Sequence, residues 1–267
     1  MLSLVSNFKN NPYTMRKALS LLVLLLPALA WAQAAVDAKE IIAKINRGEA
    51  VSYRDATING TLDLTQLDNR KLRKEPGKWE DSKTFVSTVK ASVSFTHCTF
   101  AGDVLAYYHL EDAEETHTAD FDENVTFENC TFKGKSAFKY SRFAGSASFA
   151  GSRFNEGALF KYSQFAKGPD FSKAQFEAPA DFKYAHFREA ATFSEAGFKG
   201  EAVFKYARFP AGSSFRNVVF SRHADFKYAK FSEPIDLSGV DFRGGEDFKY
   251  TTVGGKPMSG YLLTNKK

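Results

Sequence analysis

The sequence has few of the residues that build metal and redox sites, and none of the common catalytic motifs. Its 267 residues include 2 cysteines and 5 histidines. There is no HExxH or CxxC spacing, no glycine-rich phosphate loop that opens a helix and no GxSxG nucleophile elbow. These absences exclude the usual zinc, nucleotide and serine-nucleophile sites. They predict a protein that has no catalytic residues and needs no cofactor.

The apolar run near the N-terminus is too short for a membrane-spanning helix. Ala18–Ala30 has 13 residues, whereas a spanning helix needs about 18 or more. Two basic residues precede it, and the small-x-small pattern AWAQAA ends it. These features predict a secretory signal peptide over residues 1–32, cleaved after Ala32, and a periplasmic or secreted protein. An uncleaved anchor is the alternative, and Met15 competes with Met1 as the start.

Charge of one sign is not in large excess. The whole chain has a formal charge of +5, and removal of residues 1–32 takes away Lys9, Arg16 and Lys17 and no acids, so the charge falls to +2. A near-balanced charge argues against a nucleic-acid partner. Since no long Gly/Ser or Pro tract marks a linker, the sequence predicts one folded domain after the leader.

A short helix is predicted at the start of the mature chain, within residues 33–50. Asp37 fits an N-cap and Glu40 fits the acidic residue three positions later, while Val36 and Ile41 fit the hydrophobic staple on either side. Gly48 is the stop signal. The apolar face is formed by Ile41, Ile42 and Ile45. We expect this helix to cap whatever follows.

The phenylalanines that follow have a fixed period. FKYSRF at Phe138 returns as FKYSQF, FKYAHF, FKYARF and FKYAKF at intervals of 22 residues, and a last FKY begins at Phe248. From Phe121 onward the aromatic residues are spaced by 6, 5, 6 and 5 in turn, with Leu237 as a substitute. Helical steps of 3 and 4 and the strand step of 2 do not fit. The spacing of 6, 5, 6 and 5 fits the four short sides of one coil, if each side directs a Phe and the small residue two positions earlier inward.

The segments ADFKYAHF, ADFKYAKF and VDFRG resemble the pentapeptide-repeat family, whose pattern is small-(Asp/Asn)-(Leu/Phe)-x-x. The resemblance covers about residues 85–250. It implies an all-β fold, a right-handed quadrilateral parallel β-helix, here spanning residues 51–250 with a C-terminal tail over 251–267. The sixth residue on alternate sides departs from the family pattern. It predicts that two of every four corners differ from the usual tight turn.

Two irregular stretches interrupt the first coils. VSFTHCTFAGD and VTFENCTFKGK are the same two sides of neighbouring coils, but they begin 32 residues apart, so one coil carries a 10-residue insertion. We place it at about 106–118. A second interruption covers about 65–83. Both are predicted to be loops that leave the solenoid.

The cysteines and histidines give two weak site hypotheses. Cys98 and Cys130 hold the same slot of adjacent coils, at a separation that a disulfide tolerates, although parallel side chains would strain the bond. Buried free thiols are the alternative. His109 and His117 share the 106–118 insertion with several acids, which could hold a divalent cation. A solvated acidic loop is the simpler interpretation of that segment, and no metal site is predicted.

Three polar columns are predicted on the outside of the solenoid. Neighbouring coils lie about 4.8 Å apart, so stacked ammonium groups repel each other by about 1 kcal/mol even in water. The first column is Lys139, Lys161, Lys183, Lys205, Lys227 and Lys249, the second is Tyr140, Tyr162, Tyr184, Tyr206, Tyr228 and Tyr250, and the third, around the corner, is Arg142, Gln164, His186, Arg208 and Lys230.

Two interpretations of the lysine and tyrosine columns stay open. In the structural one, Asp181, Asp225 and Asp247, each two residues before a column lysine, and cation–π contacts with the tyrosines offset the repulsion. In the other, the columns from Lys139 to Tyr228 bind a ligand, with the lysines holding an anionic glycan and the tyrosines forming an aromatic platform.

These features together predict an exported, non-enzymatic solenoid that acts as a scaffold or binding protein of the cell envelope. The partner is unknown, and an envelope polysaccharide or an envelope protein fits best. A glycan-active β-helix enzyme is one alternative. A DNA mimic that binds gyrase, as some relatives do, is another, but a mimic needs a continuous acidic surface and access to the cytoplasm.

Overall fold

The computed structural model describes residues 34–73 and 83–259. The predicted signal peptide, residues 1–32, lies outside the described residues, as do part of the 65–83 interruption and the end of the tail. Within the described ranges the helical segments are short, and none has both the length and the apolar composition needed to cross a bilayer.

The described chain winds through four sheets, and each turn of the regular coil contributes a strand, or in the later coils of one sheet a single bridge, to each of them. Pairing is parallel along all four stacks and joins residues one coil apart, as in Phe143↔Phe165. The antiparallel pairs are found in the two insertions and at the C-terminal end. The predicted fold class, a parallel β-helix with a short N-terminal helix, is confirmed.

Each coil passes through sheets 1, 2, 3 and 4 in that order. Sheet 1 contains β2 (Val51–Arg54), β7 (Val93–Thr96), β12 (Val125–Glu128) and β16 (Ala147–Ser148). Single bridges extend it through Asp170, Thr192, Ser214 and Asp236. Sheet 2 contains β1 (Ala34–Asp37), β3 (Ala56–Asn59), β8 (Thr99–Phe100), β13 (Thr131–Phe132), β17 (Arg153–Phe154), β20 (Gln175–Phe176), β23 (Gly197–Phe198), β26 (Val219–Phe220) and β29 (Asp241–Phe242).

Sheet 3 contains β4 (Leu62–Asp63), β9 (Val104–Leu105), β14 (Ser136–Ala137), β18 (Ala158–Leu159), β21 (Ala180–Asp181), β24 (Ala202–Val203), β27 (Ala224–Asp225) and β30 (Glu246–Asp247). Sheet 4 contains β5 (Lys71–Leu72), β6 (Lys83–Val89), β10 (Tyr107–Leu110), β11 (Glu115–Phe121), β15 (Arg142–Phe143), β19 (Gln164–Phe165), β22 (His186–Phe187), β25 (Arg208–Phe209), β28 (Lys230–Phe231), β31 (Thr252–Val253) and β32 (Lys256–Pro257).

The core consists of stacked phenylalanines, as the period predicts. Phe154 and Phe176, one coil apart, have ring centroids 4.8 Å apart and an angle of 4° between their planes. Rings on different sides of the coil meet edge to face, as Phe160 and Phe171 do at 5.2 Å. The small residues two positions earlier are also buried, among them Ala174, so large and small side chains fill the coil together.

The two kinds of corner differ, as the alternating spacing predicts. On a five-residue step the Ser141 N–H donates to Phe138 O at 3.1 Å, and Tyr140 between them has a φ of +64°, as in a type II turn. At six-residue corners the backbones of adjacent coils approach closely instead. A Cβ on Gly200 would lie 2.3 Å from the carbonyl carbon of Ala178, so this corner requires glycine.

The N-terminal helix, α1, spans Ala38–Asn46 and is capped as predicted. Asp37 Oδ1 accepts a hydrogen bond from the Lys39 N–H at 2.8 Å, and Gly48 follows the helix with a φ of +72°. Ile41 and Ile45 are buried in the core of the first coil. The residues just before the helix form β1, which pairs with β3 and extends sheet 2 by one strand.

The insertion predicted as a loop at 106–118 leaves the coil, but it folds as an antiparallel β-hairpin. β10 and β11 pair from Tyr107↔Thr118 to Leu110↔Glu115. β11 also pairs in parallel with β6, and β6 pairs with β5. The strands of the two interruptions, β5 and β10, thus flank the parallel pair that β6 and β11 form between adjacent coils. The described part of the 65–83 interruption is therefore also partly ordered, as β5 and the short 3₁₀ helix Leu64–Gln66.

Candidate functional site

The predicted lysine and tyrosine columns lie side by side on one corner of the solenoid, and we call them together the Lys/Tyr stripe. Each tyrosine holds the left-handed position of its turn, with φ between +58° and +64°. The preceding lysine is the other central residue of that turn. The tyrosine rings stack with centroids 4.6–5.0 Å apart, along the series Tyr140, Tyr162, Tyr184, Tyr206, Tyr228 and Tyr250.

The stack covers the ring faces that the predicted aromatic platform would need. Tyr184 has Tyr162 at 4.8 Å on one face and Tyr206 at 4.6 Å on the other, both nearly parallel to it. At the N-terminal end Tyr107 of the hairpin lies 5.9 Å from Tyr140. The column therefore presents ring edges and hydroxyl groups to solvent. Within residues 34–73 and 83–259, Tyr250 at its C-terminal end is the one column tyrosine with a ring face left open for a ligand ring to stack on.

The stripe lysines contact their own tyrosines. Nζ lies 4.9–5.5 Å from the centroid of the next residue's ring in Lys139, Lys161, Lys183, Lys205 and Lys249. Lys139 Nζ also donates to the hydroxyl of Tyr107 at 2.9 Å. Among the described residues, none of these five ammonium groups has a carboxylate within ion-pair distance. They are therefore available to an anionic ligand.

Lys227 is the exception in the stripe. Its Nζ lies 3.1 Å from Asp247 and 3.7 Å from Asp225. The hydrogen bond to Asp247, followed by the charge of Asp225, raises the pKa of Lys227 above its ordinary value. Two carboxylates thus form ion pairs with one lysine, and neither forms an ion pair with another lysine of the column.

The three aspartates that precede column lysines, Asp181, Asp225 and Asp247, stabilise the turns more than they offset the lysine charges. Asp181 Oδ1 accepts the backbone N–H of Lys183 at 2.8 Å, and the other two accept in the same way at 2.9 Å. Burial raises the pKa of Asp181, which also lies near the charges of Lys161 and Lys183. Lys183 and Lys249 make no ion pair with their aspartates, so the structural offset reaches less of the column than the sequence indicates.

A groove runs beside the tyrosine column on the sheet 4 side, with a volume of about 540 Å³. Its walls are the tyrosine edges and the third predicted column. The sequence predicts both columns but not the groove between them. The groove exists because a small residue, Ala185, lines it between the two rows of large side chains. The lining residues are Tyr162, Tyr184, Ala185, His186, Tyr206, Arg208, Tyr228, Lys230 and Tyr250.

The predicted cysteine pair is buried in adjacent coils, in the register that pairs β8 with β13. Both residues are free thiols in the structure. Hydrogen bonding between the two thiols lowers the pKa of Cys98 and, together with burial, raises that of Cys130. A disulfide between them stays a hypothesis.

The histidines of the insertion point to opposite faces of the hairpin. His109 Nδ1 lies 3.0 Å from the hydroxyl of Thr116 on the exposed face. His117 is buried between Tyr108 at 4.4 Å and Phe85 at 5.0 Å. The two rings therefore cannot share one ion, and the described ranges contain no cluster of three or more metal-ligating side chains.

We expect His117 to make the hairpin sensitive to acid. Burial lowers its pKa from the ordinary 6.5, despite Glu115 Oε2 at 3.4 Å from Nε2, while Arg70 lowers it further and Asp63 opposes the shift. The unfolded segment therefore binds the proton more tightly. The stabilisation is complete above about pH 6.5 and is lost as the pH falls from there through the lower folded pKa.

Hydrogen exchange of the β10–β11 amides between pH 7.5 and 5.5, corrected for intrinsic exchange, measures this loss. Protection should fall in the wild type and in the exposed-site control His109→Gln. It should change little in His117→Phe, which keeps the stack and does not titrate. Equal loss of protection in His117→Phe would contradict the assignment.

The regular coils that carry the Lys/Tyr stripe also match a known protein family. Residues 118–164, 138–186 and 182–230 match the family model described as pentapeptide repeats, in 9 copies. The matched ranges are the regular coils, which also carry most of the Lys/Tyr stripe. Searches of curated proteins and of solved structures give no significant match.

Proposed function

The chain is a pentapeptide-repeat protein, and we propose that it is an exported, non-enzymatic binding protein of the cell envelope whose ligand is an anionic glycan lying along the Lys/Tyr stripe. One observation supports this most: five stacked ammonium groups have no carboxylate partner among the described residues. Stacked cations repel each other, and a polyanion parallel to the coil axis would relieve that repulsion along the whole column.

The repetition of the stripe favours binding over catalysis. Catalysis needs unlike groups that converge on one point, a nucleophile or base beside its orienting partner. The stripe instead repeats the same lysine and tyrosine in each coil, at left-handed turn positions that vary by only a few degrees. Identical contacts at a fixed interval suit a polymer with a repeating unit, because each repeat adds one equivalent contact.

The envelope location rests on the N-terminal sequence. A short basic region, an apolar run of 13 residues and a small-x-small site precede the first described strand, in the order of a secretory leader. An exported solenoid would meet the acidic polysaccharides and lipid-linked glycans outside the inner membrane. Its scaffold would hold a ligand rigidly, because every coil is hydrogen-bonded to its neighbours.

Replacing three stripe lysines tests the proposal. The variant Lys161→Gln, Lys183→Gln and Lys205→Gln should lose roughly 100-fold in affinity for an acidic polysaccharide, if each exposed contact contributes about 1 kcal/mol. Its fold should be intact or slightly more stable, because repulsion within the column is relieved. Biolayer interferometry on immobilised alginate, at low salt, measures the affinity.

The control removes the same charge from elsewhere. Lys167, Lys173 and Lys199 are each paired with a glutamate, at 3.1, 3.9 and 2.8 Å, so their triple replacement by Gln should leave binding nearly unchanged. Equal loss in both variants would reduce the effect to net charge and overturn the stripe as the site. Turnover of the glycan would favour an enzyme, and inhibition of gyrase by the leaderless chain would favour a DNA mimic.

A further inference from the structure

We infer that the ligand binds in the groove beside the tyrosine column, and that this ligand is a linear glycan with an acidic group on every sugar. Arg208 and Lys230 would hold the acidic groups on one wall of the groove, and tyrosine hydroxyls would hold the sugar chain on the other. This inference rests on the proposed function and deepens it. The stripe lysines attract the polymer, and the groove selects which polymer fits.

The third column is not equally available along its length. At the N-terminal end Arg142 is neutralised, since it lies 3.8 Å from Asp120 and 3.6 Å from Asp122. Gln164 has no charge. Arg208 and Lys230 line the groove, and neither makes an ion pair with another described residue. The cationic part of the groove is therefore the C-terminal half, beside Tyr184, Tyr206 and Tyr228.

The spacing of these cations sets the spacing of the acids. Arg208 and Lys230 are register partners in β25 and β28, and His186 is the register partner of Arg208 in the coil before. Parallel neighbours lie about 4.8 Å apart. A polymer that follows the groove must present its acidic groups at that interval, which is about the length of one sugar in an extended chain. An acid on every second sugar could contact only one of Arg208 and Lys230.

The tyrosine wall suits sugar hydroxyls. A phenol both donates and accepts hydrogen bonds, and so does each hydroxyl of a sugar. Burial, with the neighbouring phenols Tyr184 and Tyr228, raises the pKa of Tyr206, so its hydroxyl keeps the proton that it would donate. Row after row of such groups can bind the edge of a sugar chain without any ring stacking.

The same wall does not suit nucleic acids. Single strands bind proteins largely by stacking their bases on aromatic faces, and the tyrosine faces here are covered by their neighbours at 4.6–5.0 Å. In a duplex the phosphates of one strand advance by about 3.4 Å along the axis, which does not match the rise of the coil. The covered rings and the coil spacing together point to an acidic glycan.

Defined oligosaccharides test the inference. With the protein lacking residues 1–32, oligogalacturonate, which has a carboxylate on every sugar, should bind more tightly than a hyaluronan oligomer of equal charge, whose carboxylates alternate. The variant Arg208→Gln, Lys230→Gln should bind oligogalacturonate roughly 10- to 30-fold more weakly, as expected for two exposed charge contacts. The matched control is Arg153→Gln, Lys199→Gln, on sheet 2, where both cations contact Glu177. It should bind as the wild type does.

The outcomes separate this inference from the proposed function. If the wild type binds acidic glycans and the stripe lysine variant loses binding, but Arg208→Gln, Lys230→Gln does not, the groove is wrong and the stripe stands. Equal affinity for the two oligomers overturns the spacing argument, and tighter binding of oligothymidylate at equal charge overturns the choice of a glycan. If the wild type binds none of these polymers at low salt, both proposals fail.

Discussion

Phe171→Ala is expected to lower the free energy of unfolding by about 3–5 kcal/mol, the usual cost of truncating a buried phenylalanine. The ring is fully buried. It stacks on Phe149 and Phe193, each at 5.0 Å, and meets Phe160 and Phe182 edge to face at 5.2 and 5.3 Å. The large cost follows because the hydrogen-bonded backbone of neighbouring coils resists collapse into the cavity.

Denaturant unfolding gives the free energy, and hydrogen exchange shows where the damage lies. Each coil contacts only its neighbours, so exchange should rise first in the coils that carry residues 149–193. Phe85→Ala is the control, because Phe85 lies off the ladder and is only half-buried, and we expect it to cost clearly less. A loss below about 1 kcal/mol in Phe171→Ala would mean that the stacked core does not carry the stability.

The regular coils could be predicted because one interaction dominates them. A large aromatic must be buried, and its spacing records the length of each side directly. The corner geometry was harder to foresee, since a tyrosine at positive φ is unusual for any L-residue. A signal was nevertheless present. The equivalent position of the opposite corner is held in four coils by Asn129, Gly151, Asn217 and Gly239, residue types that tolerate this conformation, and in the two coils between them by Lys173 and Glu195.

The insertions could not be predicted as a sheet because each one alone lacks a partner. Tyr107–Leu110 and Glu115–Phe121 are joined by a short acidic turn, and charge and polarity there suggest a loop. The strand forms because β6 of the preceding coil offers a complete edge, with seven residues in register. Such pairing between strands of different coils is a tertiary effect, and local sequence carries little trace of it.

The candidate site was predicted in its residues but not in its chemistry. The columns follow from the period alone. Which cations are free depends on rotamers, as Lys227 shows by taking both Asp225 and Asp247. The tyrosines of neighbouring coils stack with ring centroids 4.6–5.0 Å apart, because the rise of the coil is close to a stacking distance. The expected platform of ring faces is therefore a row of ring edges and hydroxyl groups.

Salt should weaken ligand binding by orders of magnitude. Seven cations of the stripe and groove lack a carboxylate partner among the described residues, and five of them lie in four consecutive coils, where one ligand could contact them together: Lys161, Lys183, Lys205, Arg208 and Lys230. A flexible polyanion that they neutralise releases its counterions, with a contribution of about −0.7 per contact to the slope of log affinity against log salt. Five contacts give a slope between about −3 and −4. The affinity for a ligand held by apolar contacts would instead change little with salt.

The measurement that tests the central claim most directly is the affinity of the protein lacking residues 1–32 for oligogalacturonate, by calorimetry, from about 20 to 200 mM salt, a range over which the screening length falls severalfold. A polyanion site along the Lys/Tyr stripe predicts tight binding at the low end and a thousandfold loss for each tenfold rise in salt. A slope near zero, or no binding even at the lowest salt, would contradict it.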